Sequence, residues 1–208
     1  MSKVITIIDY GVGNLNSIRN MYKTLGIEAK ISGDPKEILA AEKLILPGVG
    51  KFDYGMSQLC NASLVDVLNE KVLQKKTPIL GICLGAQLLT EGSDEGVKPG
   101  LGWIKGKTVA FNSSLLQQNQ KTPHMGWAEV KEVHNSVLFE AMFEQPRFYF
   151  VHSFHLKVAN ESDIIIEANY GYDFTAGVQR DNIYGVQFHP EKSHKYGMKL
   201  LSNFAERA

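Results

Sequence analysis

The nine residues Pro78-Ile79-Leu80-Gly81-Ile82-Cys83-Leu84-Gly85-Ala86 carry an apolar run straight into a Gly-x-Cys-x-Gly turn. This is the cysteine version of a nucleophile elbow. A strand turns so sharply into a helix that residues without side-chain bulk are needed two positions either side of the nucleophile. The turn lifts the sulfur above the sheet edge, beside the N-terminus of the next helix, a setting that favours thiolate over thiol. On these residues alone, a small buried cysteine at a strand end, with glycines serving as turn residues, is the competing reading.

The flanking sequence supports a strand–helix alternation. Residues 3–9 (Lys-Val-Ile-Thr-Ile-Ile-Asp) are continuous in apolar and β-branched residues and predict a buried strand. After the turn 10–14, Leu15, Ile18, Met21, Tyr22 and Leu25 line one face of a helix that stops at Gly26. Short strands are predicted at 28–31 and 43–46, and a helix over 58–75 on Leu64, Val67, Leu68 and Val72. A strand at 78–82 and a helix over 84–91 complete the series, which argues for a mostly parallel sheet covered on both faces. The second half reads as strands at 126–133, 147–157, 163–169, 174–179 and 183–188, with a turn at 180–182 and a final helix over 193–206. The fold class expected is therefore α/β, with a mostly parallel central sheet flanked by helices and an antiparallel β extension in the second half. No linker or repeat divides residues 1–208, so one domain is expected.

Composition narrows the function. Lys+Arg and Asp+Glu are equal at 22 each and form no basic stripe, which argues against nucleic-acid binding. The apolar runs are too short to span a bilayer, and the N-terminus enters a strand-like segment rather than a signal peptide. Two cysteines, Cys60 and Cys83, make no disulfide framework and point to a reducing cytoplasm. No Cys/His spacing suggests a metal site. Gly11-Val12-Gly13 lacks the third glycine of a dinucleotide fingerprint, the position being Asn16.

A cysteine nucleophile needs a base, and the base needs a group that holds its tautomer. His189-Pro190-Glu191 follows the strand that ends at Phe188. In extended backbone, residues i and i+2 point the same way, and Pro190 stiffens the path between them. The Glu191 carboxylate can therefore stay beside the His189 imidazole and favour its charged form. Acyl chemistry also needs donors for an oxyanion. Pro47-Gly48-Val49-Gly50 follows a predicted strand and would emerge at the same sheet edge as the elbow. On residue type alone, a plain turn explains that loop as well. Cys60 reads as a core or half-buried thiol on an apolar helix. His152 and His155 are expected to alternate in exposure along one strand, and His124 and His134 carry no signal of their own.

Pro-Gly-Val-Gly at 47–50, Gly-Ile-Cys-Leu-Gly-x-Gln at 81–87 and Gly-Val-Gln-Phe-His-Pro-Glu at 185–191 occur in this order. Together they closely resemble the triad-type (class I) glutamine amidotransferases, over nearly the whole chain. Asp9 to Leu15, Pro123-His124-Met125-Gly126-Trp127 and Phe150-Val151-His152-Ser153 narrow the resemblance. They are similar to the glutaminase subunits of imidazole glycerol phosphate synthases, an enzyme family of histidine biosynthesis. The resemblance implies hydrolysis of L-glutamine through a γ-glutamyl thioester on Cys83. His189 would be base and then acid, and Glu191 its orienter. Gly48, Val49 and Gly50 would form the oxyanion hole, with the Leu84 N–H as a second donor. Gln87, Glu95 and the backbone at Ser153 and Phe154 would hold glutamine, and no cofactor is implied. A separate (β/α)₈ cyclase partner, paired 1:1, would take the ammonia to make imidazole glycerol phosphate and aminoimidazole carboxamide ribotide. Asn14, Trp127, Tyr149 and Lys192 match the family's docking surface. The family's glutaminases are nearly silent until the partner binds its nucleotide, and a Gly-Val-Gly loop can store such a switch.

Two positions depart from the pattern. Ala128 follows Trp127 where the family usually has asparagine, and Phe154-His155 follow Val-His-Ser where tyrosine is common. Both are similar to paralogues that supply nitrogen for surface sugars, which stands as the alternative pathway. A free-standing γ-glutamyl hydrolase, active without a partner, is a further alternative.

Overall fold

The computed structural model describes residues 4–208. Lys3, the first residue of the expected N-terminal strand, lies outside them. The strands are β1 (Ile5–Ile8), β2 (Ala29–Ser32), β3 (Lys43–Gly48), β4 (Ile79–Cys83), β5 (Gly106–Ala110), β6 (His124–Glu132), β7 (Arg147–His152), β8 (Phe154–Val158), β9 (Ile164–Tyr170), β10 (Tyr172–Arg180) and β11 (Ile183–Val186). The α-helices are α1 (Leu15–Thr24), α2 (Pro35–Ala40), α3 (Phe52–Asn61), α4 (Val65–Asn69), α5 (Leu84–Leu88) and α6 (His194–Arg207).

Five strands pair in parallel in the order β2-β1-β3-β4-β11. From β11 the sheet continues antiparallel through β10, β9, β6 and β7, while β8 pairs with both β10 and β5. The expected mixed architecture is what forms. Side-chain alternation explains the covering layers. On β3, Ile45 faces a cluster with Ile18 and Tyr22 of α1 and Leu200 and Phe204 of α6. Leu44 and Leu46 face the opposite cluster, with Phe52 and Leu59 of α3, Leu68 of α4 and Leu88 of α5. Both faces of the parallel core are thus sealed, which is why its strands read as continuous apolar runs. No helix among the described residues is long and apolar enough to cross a membrane.

The structure corrects several expected elements. The helix expected over 58–75 is broken: Ser63 adopts φ 55° between α3 and α4, and residues Glu70–Gln74 continue as a π-helical turn. The strand expected over 147–157 stops at Ser153, because β7 pairs with β6 whereas β8 turns to β5 and β10. The expected α5 ends at Leu88 rather than at Glu91. Strand β5 and helix α2 are additions. The latter carried a readable signal, since Asp34 caps it by accepting from Lys36 N at 2.8 Å and Pro35 opens it. Cys60 is exposed on α3 rather than buried.

Candidate active site

The elbow forms at the end of β4. Cys83 sits at φ 54° and ψ −112°, a conformation that L residues seldom adopt and that is typically held by its surroundings. The flanking glycines show what holds it. A Cβ at Gly81 would come within 2.8 Å of the Ala86 backbone, and one at Gly85 would overlap the Leu46 carbonyl of β3. In the β3–β4 register Gly48 lies opposite Cys83, so the Gly48-Val49-Gly50 loop leaves the sheet beside the sulfur. A Cβ at Gly48 would stand 2.8 Å from both Leu84 Cβ and the Tyr10 hydroxyl. Tyr10 donates to the Pro47 carbonyl at 2.6 Å and so fixes the peptide that opens the loop. Gly50 closes it at φ 97°.

Strand β11, the neighbour of β4, leads into His189, the expected base. His189 Nδ1 lies 2.8 Å from Glu191 Oε1, and both side chains are only 3% exposed. The His189 peptide N–H donates to the Tyr149 carbonyl at 2.9 Å, and Ser193 donates to the His189 carbonyl at 2.7 Å, which fixes the turn. Burial disfavours charge on the imidazole. The Cys83 sulfur and the Glu191 carboxylate outweigh it and push the His189 pKa up to about 10. Its Nε2 is buried and, among the described residues, has no hydrogen-bond partner of good geometry.

Cys83, His189, Leu84, Val49 and Gly50 all line one cavity of about 380 Å³, together with Gln87, Glu95, Ser153, Phe154 and Lys192. The structure therefore gathers the sequence-predicted nucleophile, base, loop and substrate-holding residues around one space; Gly48 lies one residue behind its wall. Two of them are already engaged. Gln87 is buried, and its Nε2 donates to the Phe154 carbonyl and to Gln187 Oε1, each at 3.1 Å. Glu95 Oε2 accepts from Phe52 N at 2.9 Å at the start of α3, and Asp53 of that helix accepts from Val97 N and Lys98 N at 3.0 Å. The segment carrying Glu95 is thereby tied to the end of the Gly48–Gly50 loop.

Sequence reasoning passed over three residues here: Tyr10, Gln187 and His124. His152 ends β7 and is buried rather than alternating with His155, which is buried as well. His152 Nδ1 lies 2.8 Å from the Phe154 carbonyl, so it carries the proton, and its Nε2 accepts from His124 Nδ1 at 3.2 Å. Burial keeps both rings neutral, pushing His152 down to about 3 and His124 down to about 4. Their pairing across β6 and β7 is a register contact between residues 28 apart in sequence, and no local pattern announces it.

Of the residues expected on the docking surface, Trp127, Tyr149 and Lys192 lie together. Trp127 is 44% exposed, stacks on His194 at 5.5 Å with planes 5° apart, and meets the Tyr149 ring edge-on at 6.3 Å. Lys192 Nζ lies 5.7 Å from the Tyr149 ring centre, and Asn14 is exposed at the N-terminus of α1.

With this geometry in place, comparison with known proteins decides the family. Residues 6–208 match the glutamine amidotransferase class-I family. The chain belongs to that family. Within this amidotransferase family it is 52% identical to the imidazole glycerol phosphate synthase subunit HisH 2 of Methanococcus maripaludis, over 99% of this chain and 100% of that one. It is 50% identical to the subunit of the same name from Pseudomonas aeruginosa, over 98% and 99% of the two chains. Among solved structures, PurLQS from Thermotoga maritima superposes with a TM-score of 0.72 at 21% identity, covering 98% of both chains. A GMP synthase subunit from Thermoplasma acidophilum gives 0.70 at 21% identity over 99% of this chain and 93% of that one. These two share the amidotransferase fold.

Proposed function

We propose that this chain is the glutaminase subunit of an imidazole glycerol phosphate synthase, with Cys83, His189 and Glu191 as its catalytic residues. The observation that carries the reading is the elbow sulfur facing a cavity beside an imidazole whose proton is held by a buried carboxylate 2.8 Å away. Relatives at 45–52% identity over at least 97% of the chain carry that subunit's name and support the same reading.

The chemistry follows from the positions. The Cys83 thiolate attacks the side-chain carbonyl carbon of glutamine, and the developing oxyanion is taken up by amides of the Gly48–Gly50 loop and Leu84. His189 gives its proton to the departing nitrogen as the C–N bond breaks, releasing ammonia and leaving a γ-glutamyl thioester. The same imidazole then takes a proton from water, which attacks the thioester and releases glutamate. Glu191 keeps the His189 proton on Nδ1 throughout. Glu95 and the Ser153–Phe154 backbone hold the amino-acid end of glutamine. Gln87 contributes through its Oε1, because its nitrogen is engaged with Phe154 and Gln187.

Glutamine hydrolysis alone yields only glutamate and ammonia, so the ammonia needs an acceptor site. A cyclase subunit supplies it, and we infer a (β/α)₈ barrel docked 1:1 on the face of Asn14, Trp127, Tyr149 and Lys192. The two free thiols fit a cytoplasmic setting. The test is reconstitution with the cyclase subunit and its nucleotide. Cys83→Ala should abolish glutamine-dependent cyclisation, by at least about 10³-fold, and leave turnover on ammonium salts intact. Loss of both would overturn the division of labour. Stimulation by a sugar-pathway acceptor in place of the histidine-pathway nucleotide would move the subunit to the surface-sugar pathway.

A further inference from the structure

Gln187 is fully buried and is absent from the cavity wall, yet its side chain reaches the reacting sulfur: Nε2 lies 3.9 Å from Cys83 Sγ. Which end of that amide faces the sulfur follows from a chain of contacts that begins at a group with only one possible role. The Phe154 carbonyl can only accept. It accepts from His152 Nδ1 at 2.8 Å and from Gln87 Nε2 at 3.1 Å, so Gln87 must turn its nitrogen toward it. The second hydrogen of Gln87 Nε2 meets Gln187 at 3.1 Å, so Gln187 must present its oxygen there. Its NH₂ is then left aimed at Cys83. Flipping either amide sets two donors or two acceptors face to face in a buried space, which costs more than a surface misfit because water cannot intervene.

We propose that Gln187 is a positioning residue for the nucleophile, an N–H donor that stabilises the Cys83 thiolate and whose orientation is enforced by Gln87 and the Phe154 carbonyl. This rests on the glutaminase reading only for the identity of the substrate. The contact gives the sulfur a fixed donor from a residue outside the cavity lining, while His189 is part of that lining. Hydrogen bonding to a charged form favours that form, and bonds to charged acceptors are the stronger class. The same chain links the carbonyl of Phe154, a residue of the cavity wall, to the sulfur, so one misplaced amide disturbs both.

The experiment is alkylation of the full chain by iodoacetamide across pH, with Cys83 and Cys60 followed separately by peptide mass spectrometry. Cys60 is exposed on α3 whereas Cys83 is buried, and Cys60 serves as the internal control for reagent and pH. In Gln187→Met, of similar length but without a donor, Cys83 alkylation at neutral pH should fall about tenfold. Its profile should move to higher pH, while Cys60 is unchanged. Gln187→Glu, which sets a carboxylate toward the sulfur, should move it further. Gln87→Met should displace the profile in the same direction although Gln87 donates nothing to the sulfur, and it reads the proposal independently should either Gln187 variant fail to fold. In the complex with the cyclase subunit, Gln187→Met should lower kcat with KM unchanged. A wild-type alkylation profile in the folded variants, or a raised KM with an unmoved profile, would overturn the proposal by reducing Gln187 to part of the wall. Failure of the wild-type complex to hydrolyse glutamine would instead overturn the glutaminase reading, and the alkylation arm would still decide the contact.

Discussion

His189 shows how two residues can be read from sequence and a third cannot. His189 and Glu191 are neighbours in the chain with a proline between them, so their pairing is nearly a local property. Gln187 is just as close in sequence, but its partners Gln87 and Cys83 lie 100 and 104 residues away, and only packing sets the direction of its amide. The pH behaviour belongs to the same residues. With the His189 pKa raised to about 10, the imidazolium that faces Cys83 persists through neutral pH and is lost as pH rises through about 10. Glutaminase activity of the complex should therefore hold across neutral pH and fall on an alkaline limb approaching that value. Glu191→Gln removes one of the two partners that raise the pKa, so the limb should move to lower pH and kcat should drop by about 10⁴-fold. His189→Ala should cost more, about 10⁶-fold, because it removes the proposed proton carrier itself. Equal damage from the two substitutions, in a pH–rate series with both variants folded, would contradict the assigned roles.

Among the elements, the elbow and the helix ends are where side-chain bulk decides. Gly85 and Gly26 make a controlled pair. A methyl at Gly85 meets the Leu46 carbonyl of the neighbouring strand, whereas one at Gly26 meets nothing within 4 Å among the described residues and the positive φ of 72° opposes it. Gly26→Ala should thus lower stability by about 1 kcal/mol. Gly85→Ala should cost about 3 kcal/mol or more, because β3 and α5 must separate to admit it. Urea midpoints of the two variants check the ordering, and a Gly85→Ala protein as stable as wild type would contradict the close approach. Strand and helix periods made β1, β3, β4, α1 and α6 legible, since each buries a face whose spacing is written locally. The break at Ser63 and the partner change at Ser153 were not legible. Apolar spacing continues through both, and the interruption comes from what the neighbouring strands and helices can accommodate.

Across the molecule, the buried imidazoles and the exposed aromatic face have opposite consequences. His124 and His152 are held neutral with pKa values of about 4 and about 3, below the value of about 6.5 for an unfolded histidine. As pH falls below about 6.5 the unfolded chain takes up protons that the folded chain refuses, so stability declines down to about pH 3–4. Urea midpoints measured from neutral pH downward should fall over that window, and a midpoint constant to pH 4.5 would contradict the buried neutral pair. On the proposed docking face, Trp127, stacked on His194 and flanked by Tyr149, would serve as an aromatic anchor of the kind that concentrates binding energy. Trp127→Ala should weaken association with the cyclase subunit about tenfold or more, by calorimetric titration, while leaving Cys83 alkylation of the isolated chain unchanged. The alternation of strands and helices, the elbow and the His-Pro-Glu turn are legible in the sequence, because each depends on residues within a turn or two of one another. The elbow's neighbours are not. Gly48 opposite Cys83, Tyr10 on Pro47, the His124–His152 pair and the Gln187 contact exist only because the sheet sets distant strands in register and burial takes water away as a competing partner.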